Sequence, residues 1–140
     1  MLRGFYWVMA VISTLNGLIM LFNTDAWFHE MIPGVTNTGP FNPHFVRDVG
    51  IAFLVCGIGF FWAATHMAQA REVHWGITLF ISGHALFHVV EILRGALPAS
   101  HWRHDLLGVF IPGIILVVLC VPAVWRRANP AWTAAQGESG

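Results

Sequence analysis

Four long apolar runs constrain this 140-residue chain more than any other feature. They cover residues of about 5–23, 43–66, 74–94 and 104–125. A helix of about 20 residues, rising about 1.5 Å per residue, crosses the roughly 30 Å hydrocarbon layer of a bilayer. The pattern therefore predicts an all-α fold, an integral membrane four-helix bundle in a single transmembrane domain of residues 1–127, followed by a flexible tail of residues 128–140.

The composition agrees with a membrane protein. Hydrophobic residues make up 56% of the chain and charged residues 10%, whereas soluble domains carry about a quarter charged residues. The net charge is zero and Lys is absent, so no nucleic-acid partner is expected. The expected partners are the lipid bilayer and other membrane subunits, either copies of this chain in a homo-oligomer or the subunits of a larger membrane complex.

Tryptophan and arginine positions predict how the helices cross the membrane. Most of the tryptophans fall near the ends of the apolar runs, where amphipathic rings favour the headgroup region. Arginines are slightly more numerous on the side that holds the N-terminus, which favours an N-in/C-in orientation in a bacterial inner membrane. The inner set is Arg3, Arg71, Arg126 and Arg127, and the outer set is Arg47, Arg94 and Arg103.

The third run contains GHALFHVVEIL, in which His84, His88 and Glu91 interrupt an apolar sequence. Offsets of four and seven residues return to nearly the same face of a helix, so the three side chains are predicted to form one stripe. Ionisable residues inside a membrane cost about 2.5 to 3.5 kcal/mol each on insertion scales and therefore usually face a bundle interior, a cavity or a partner charge.

The outer ends of the other helices also carry ionisable pairs spaced four residues apart. If the helices bundle, these groups converge on the outer, periplasmic end of the stripe. The pairs are Asp25 with His29, His44 with Asp48, and His101 with Asp105, with Arg47 and His104 beside them.

Histidine nitrogen and carboxylate oxygen together suit Zn, Cu or Fe ions. We therefore predict a transition-metal site formed by His84, His88 and Glu91 with help from His44 and Asp48, with the remaining His, Asp and Arg groups orienting the ligands or forming a secondary site. An open coordination position would let the ion activate water or oxygen. Whether the protein is an enzyme stays open at this point.

Two alternatives give the same residues other roles. His84, flanked by Phe80, Gly83 and Phe87, could be an axial ligand of a haem or chlorophyll-type pigment, because a tetrapyrrole needs one axial His and an apolar slot. The polar groups could instead be hydrogen-bonding glue in an accessory subunit of a respiratory, photosynthetic or oxygenase complex. A proton pathway is a weaker hypothesis, because the inner half of the helices has few titratable groups.

The fourth run contains Pro112 and Pro122, which predict a kink or a loosened backbone in that helix. In the loop before the second run, Asn42 and Pro43 predict a helix cap and a first helical residue. The segment GPFNPHFVRDVG around them resembles a segment of short, functionally uncharacterised four-helix membrane proteins of bacteria. The resemblance implies a fold and carries no activity.

Overall fold

Every regular element in the chain is helical over the residues that the computed structural model describes, which are 1–137. The all-α prediction is therefore confirmed. Short helical turns at Thr24–Ala26, Trp27–Met31, Val35–Asn37, Met67–Gln69, His101–His104 and Leu106–Phe110 join the longer helices. The longer helices are α1 (Leu2–Phe22), α2 (Pro43–Thr65), α3 (Ala70–Leu93), α4 (Ile111–Cys120), α5 (Pro122–Ala128) and α6 (Pro130–Gly137).

Helix α2 begins where the sequence predicts it. The side-chain oxygen of Asn42 accepts hydrogen bonds from the backbone N–H groups of His44 and Phe45, both at 3.1 Å. Pro43 follows as the first helical residue, where its missing N–H costs nothing. This cap is local chemistry, which is why the sequence alone could identify it.

Helices α1 and α2 approach each other closely because glycines lie at their contact. A β-carbon added at Gly17 would lie 2.6 Å from the backbone oxygen of Gly50, and one added at Gly50 would lie 2.9 Å from Met20 Cβ. Small residues allow this spacing where helices pack without the help of water exclusion. The α1/α2 pair is antiparallel, since Tyr6 contacts Phe60 at the other end.

Helix α4 runs back along α3 in the opposite direction. Asp105 contacts His88, Gly113 accepts a hydrogen bond from Ser82 at 2.9 Å, and the Leu116 carbonyl lies 3.1 Å from His74 Nε2. Position numbers rise on one helix as they fall on the other. The chain therefore travels from one end of α3 to the other between Asp105 and Cys120.

The predicted helix over 104–125 is interrupted rather than continuous. Val121 adopts an extended conformation (φ −65°, ψ 122°) directly before Pro122, and the helices on either side meet at 100°. A proline disfavours the helical conformation of the residue before it and supplies no N–H, so α4 ends and α5 begins at this point. The sequence predicted a kink or a loosened backbone within one helix, and the structure has a break between two helices.

Three helices are long and apolar enough to cross a membrane, or four if the bent pair counts as one span. This follows from length and composition, and only about a third of each 18-residue window is buried within the protein. The outward faces are mostly Leu, Ile, Val and Phe side chains. They are suited to contact with lipid tails, as the apolar runs predict.

The segment expected to be a flexible tail begins with a helix. In the described part of this segment, Asn129 is fully buried and donates from Nδ2 to the Met67 carbonyl at 2.8 Å. Trp132 on α6 lies 5.5 Å from the Arg71 guanidinium, which also lies over Trp75 and Trp125. Asn129 and Trp132 thus hold the start of α6 against the N-terminal end of α3. Helix α6 ends at Gly137, and residues 138–140 lie outside the described residues.

A buried histidine in the N-terminal half of α3, His74, forms hydrogen bonds with α1 and α4. His74 is fully buried, and its Nε2 lies 3.1 Å from the Leu116 carbonyl, so Nε2 carries the hydrogen and donates it. Nδ1 is then the acceptor for the Tyr6 hydroxyl, at 2.9 Å. Cys120 Sγ lies 3.6 Å from the same Nε2. Because that nitrogen is a donor, it cannot act as a base toward the thiol, and the network is structural.

Candidate metal centre

The candidate site lies where the chain turns from α3 back into α4. Gly95, at φ +74°, lets the backbone reverse, and the N–H groups of Ala96 and Leu97 donate to the Glu91 carbonyl at 2.9 and 3.3 Å. Leu97 is buried with Ile92. This apolar contact folds the loop over the end of α3 and brings the turn His101–His104 beside it.

A local widening of the helix follows directly after the turn. The carbonyl of Asp105 accepts hydrogen bonds from both Val109 N (2.8 Å) and Phe110 N (3.0 Å), which makes Leu106–Phe110 a π-helical turn. Pro112 lies just beyond this turn and has no N–H to donate, so the regular hydrogen-bond ladder is already interrupted there. Single π turns inside helices often occur at functional sites. Here the widened turn begins at the residue whose carboxylate forms the site.

Asp105 brings two histidines together. Its Oδ2 atom lies 2.9 Å from His88 Nδ1 and 3.1 Å from His101 Nδ1. The exposed fractions of the side chains are 11% for Asp105, 14% for His88 and 2% for His101. One ligand atom from each of the three residues lies within 4.8 Å of the others, so the group could hold a metal ion.

Two further histidines extend this group at either end. His84 lies one turn below His88 on α3, with 4.6 Å between ring centroids, and His104 lies beyond His101 at 5.8 Å. The four imidazoles and the Asp105 carboxylate thus form a continuous row. It runs from the middle of α3 to the exposed loop.

A loop from the first half of the chain covers the outer end of the row. Asn37 Nδ2 lies 3.5 Å from His101 Nε2. Gly34, at φ +86°, packs so closely that a β-carbon there would lie 2.9 Å from His101 Cε1 and 3.1 Å from His104 Nδ1. Gly34 is therefore required both for its backbone conformation and for clearance above the histidines.

The structure brings together only some of the residues that the sequence singled out. All three predicted four-residue pairs form, because Asp25 and His29 lie 3.8 Å apart, His44 and Asp48 3.4 Å apart, and His101 and Asp105 3.1 Å apart. The first two pairs are largely exposed, with side-chain exposures of 46 to 87%.

Two further predicted residues also lie outside the His88–His101–Asp105 group. Glu91 contributes its backbone carbonyl to the end of α3, and its carboxylate is in no ion pair among the described residues. Arg47 is exposed. The ligand set proposed from the sequence thus shares His88 with the observed group, and it placed His101 and Asp105 in supporting positions.

Sequence reasoning could not rank the three pairs, because all have the same spacing and similar neighbours. Gly34 and Asn37 were missed altogether. The sequence signal at this position was the Pro33-Gly34 pair, which predicts a turn. A turn signal does not indicate that the loop contacts His101, more than 60 residues away.

His84 borders a second feature, an open apolar groove of about 490 Å³ on α3. Its ring stacks on Phe80 at 6.3 Å and meets the edge of Phe53 at 6.0 Å. Gly76 and Gly83 face open space within the described chain. The groove is lined by Gly76, Leu79, Phe80, Gly83, His84 and Phe87.

Comparison of the chain with protein-family models, with curated proteins and with solved structures gave no match. The resemblance of GPFNPHFVRDVG to short bacterial membrane proteins therefore stays a prediction, and the function is argued from the site.

Proposed function

We propose that this chain is an integral membrane protein that binds one divalent transition-metal ion through His88, His101 and Asp105. The observation that carries the proposal is the Asp105 carboxylate, which lies within 3.1 Å of two imidazole nitrogens while all three side chains are largely shielded from solvent. Two neutral ligands and one anion, brought together from α3 and from the turn before α4, form a three-ligand group that leaves further coordination positions open.

The donor atoms narrow the choice of ion. Two histidines and one carboxylate favour Fe(II) or Zn(II), whereas the absence of thiolate argues against Cu(I). Two histidines and one carboxylate are the ligand set with which non-haem Fe(II) proteins activate oxygen, and the same donor types bind catalytic zinc. With a site of this kind the reaction would be activation of oxygen or water at the membrane boundary.

The two N···O distances lie close to those between two ligands of one ion. Metal–nitrogen bonds of about 2.0–2.1 Å place tetrahedral ligands roughly 3.3 Å apart. The two N···O distances are now 2.9 and 3.1 Å, so the side chains would separate by a few tenths of an ångström. The ion would take the place of the hydrogens on the two Nδ1 atoms, so each neutral imidazole would carry its hydrogen on Nε2 when the ion is bound.

We place this site at the outer face of a bacterial inner membrane, with both termini inside. In this arrangement the chain between Asp105 and Cys120 is a fourth crossing beside α3, and α5 lies at the inner boundary. The contacts from Asp105 with His88 to Arg71 with the Cys120 carbonyl, which span the length of α3, support that path. Association with further copies or with a larger complex would bury more of the apolar surface.

Metal analysis of the full-length protein in detergent tests the proposal. Purified protein is dialysed against Fe(II), Zn(II) or Cu(II) under anaerobic conditions, and bound metal is measured by elemental analysis. We expect one ion per chain in the wild type, and a loss of that ion in His88→Ala and His101→Ala. His44→Ala is the matched control, because that histidine forms the same kind of pair at 87% exposure. A folded wild-type protein that binds no stoichiometric metal refutes the proposal.

A second function is favoured by the hydrogen-bond distances themselves. When both Nδ1 atoms donate to Asp105, the hydrogen bonds of this group join α3 to the turn before α4, and no ion is needed. The chain would then be an accessory subunit in which the polar residues are structural. In that case His101→Ala would lower stability in metal-free buffer as much as in metal-containing buffer, and larger subunits would co-purify.

A further inference from the structure

The ring of His101 has one nitrogen at the proposed metal site and the other beside the loop that covers it. Nδ1 lies 3.1 Å from Asp105 Oδ2, and Nε2 lies 3.5 Å from Asn37 Nδ2. Only 2% of the His101 side chain is exposed, and among residues 1–137 Asn37 is the one hydrogen-bond partner of Nε2. Because a buried imidazole nitrogen needs a partner, the group that Asn37 presents to Nε2 affects which ring nitrogen carries the hydrogen.

The loop holds Asn37 in this position through its own hydrogen bonds and packing. Gly34, at φ +86°, turns the chain, and its carbonyl accepts a hydrogen bond from Asn37 N at 2.9 Å. The Val35 carbonyl accepts two bonds from Thr38, one from N at 2.9 Å and one from Oγ1 at 2.7 Å. Val35 also packs against the buried cluster that contains Phe28. The side chain of Asn37 is therefore carried by a turn that is anchored to the first half of the chain.

Binding of an ion reverses what Nε2 of His101 needs. Without an ion, Nδ1 carries the hydrogen that it donates to Asp105, so Nε2 is an acceptor and the Asn37 amide N–H donates to it. When Nδ1 binds an ion, it gives up its proton to solvent and Nε2 takes up one, so the imidazole stays neutral and Nε2 becomes a donor. An amide side chain has both a donor and an acceptor, and a half-turn of its terminal torsion exchanges them. Asn37 is thus able to pair with His101 in both states.

We propose that Asn37 is a positioning residue that exchanges its amide N–H for its amide oxygen when the ion binds, and so holds His101 in the tautomer that the ion requires. This inference rests on the proposed metal site. Histidines that bind metals usually donate their other ring N–H to an oxygen, which fixes the orientation of the ring and makes it a better ligand. Aspartate in place of Asn37 would only accept, and leucine would neither donate nor accept. The two substitutions therefore have opposite predicted effects on the affinity for the ion.

Zn(II) titration of the full-length protein in detergent micelles, in competition with a chelator, tests this inference. In Asn37→Leu the affinity should fall about 10-fold, the lower end of the range for loss of an orienting partner, because the contact is long. In Asn37→Asp it should rise about 5-fold above the affinity of Thr36→Asp, since a hydrogen bond to a carboxylate is stronger than one to an amide. Thr36→Asp is the matched control, because it adds the same charge to the same turn at an exposed residue.

The position of the hydrogen on His101 is a second measurement, which a residue that only covered the site would leave unchanged. Nitrogen-15 spectra of protein with ring-labelled histidine distinguish the two tautomers, and comparison with His101→Ala assigns the signals. In the wild type we expect Nδ1–H without Zn(II) and Nε2–H with it. In Asn37→Asp, Nε2 should carry a hydrogen even without Zn(II).

Two results would overturn this inference and leave the metal proposal standing. One is a wild type and an Asn37→Leu variant that bind Zn(II) equally tightly. The other is an Asn37→Asp variant that binds as weakly as Asn37→Leu, which would mean that Asn37 only covers the site. If the wild type binds no Zn(II), and no other ion in the dialysis assay, the proposed function and this inference fail together. Asn37 is exposed on a loop, so both variants should keep the helical content of the wild type in circular dichroism.

Discussion

Replacement of Asp105 by Asn tests the central carboxylate with the least change in shape. Asp105 Oδ2 is the acceptor for two imidazole N–H groups at 2.9 and 3.1 Å, and only 11% of the side chain is exposed. Hydrogen bonds to a charged group contribute about 1.5–3 kcal/mol, against about 0.5–1.5 kcal/mol between neutral groups. Loss of the charge should therefore lower the free energy of unfolding by about 2–3 kcal/mol across the two bonds. The amide oxygen can take the position of Oδ2 and accept both hydrogen bonds, so the estimate compares two charged bonds with two neutral ones.

The measurement is reversible unfolding of the metal-free protein in mixed micelles, followed by tryptophan fluorescence. Asp48→Asn provides the matched control, because it removes the same charge from a pair with His44 at 3.4 Å where the carboxylate is 57% exposed. Exposed pairs contribute little, so we expect a change below about 0.5 kcal/mol in the control. In the presence of metal the difference between the two variants should widen, since an ion that binds only the folded state adds to its stability.

The reasoning would be refuted if Asp105→Asn changed the unfolding free energy no more than Asp48→Asn does. That result would mean that the two imidazoles do not depend on the carboxylate. The alternative function, in which the group only joins α3 to the turn before α4, would then fail, and the metal proposal would be decided by the dialysis assay.

Three further substitutions test how the site and the helices are held. Gly34→Ala should weaken metal binding, because its methyl group would press on two histidines and the φ of +86° is strained for alanine; unchanged affinity in the dialysis assay would contradict the contact. Tyr6→Phe should cost about 1–3 kcal/mol of unfolding free energy by leaving the Nδ1 acceptor of His74 unpaired, and a stability equal to wild type would argue against the donor assignment. Gly17→Val should destabilise by at least about 1–3 kcal/mol because its β-carbon would lie 2.6 Å from a backbone oxygen of α2, whereas Gly4→Val should unfold like the wild type; similar values for both would rule out the close approach of α1 and α2.

The helices could be predicted because their signals are local. Apolar runs of spanning length and the Asn42-Pro43 cap place the first three long helices within a few residues of their observed bounds. The fourth was predicted as one helix because hydropathy does not register backbone geometry. Pro122 was noticed, yet whether a proline kinks or breaks a helix depends on what the flanking segments pack against. Here Asn129, directly after α5, donates to the Met67 carbonyl just before α3, and this contact directs α5 away from the axis of α4.

The sequence predicted a cluster of histidines and carboxylates, and some of the predicted residues belong to the group that the structure brings together. The spacing of His101 and Asp105 on the same side of a helical turn is a sequence property, and the pair forms. That this pair meets His88, while the equally spaced His44 and Asp48 stay exposed, depends on the turn after Gly95 and on the packing of Leu97. Glu91 shares a predicted face with His88, but a shared face on one helix does not determine which group the next segment brings to it.

The sequence by itself thus determined the helical class, the apolar spans and the gathering of ionisable groups toward one end, because hydropathy, capping and helical periodicity act over a few neighbouring residues. Only the tertiary structure decided that Asp105 rather than Glu91 is the carboxylate between the histidines, that Gly34 covers them, and that Gly76 and Gly83 leave a groove open beside His84. Those outcomes depend on the angle of one turn and on the close fit of distant segments, and the positions of the residues along the chain do not encode such distances directly.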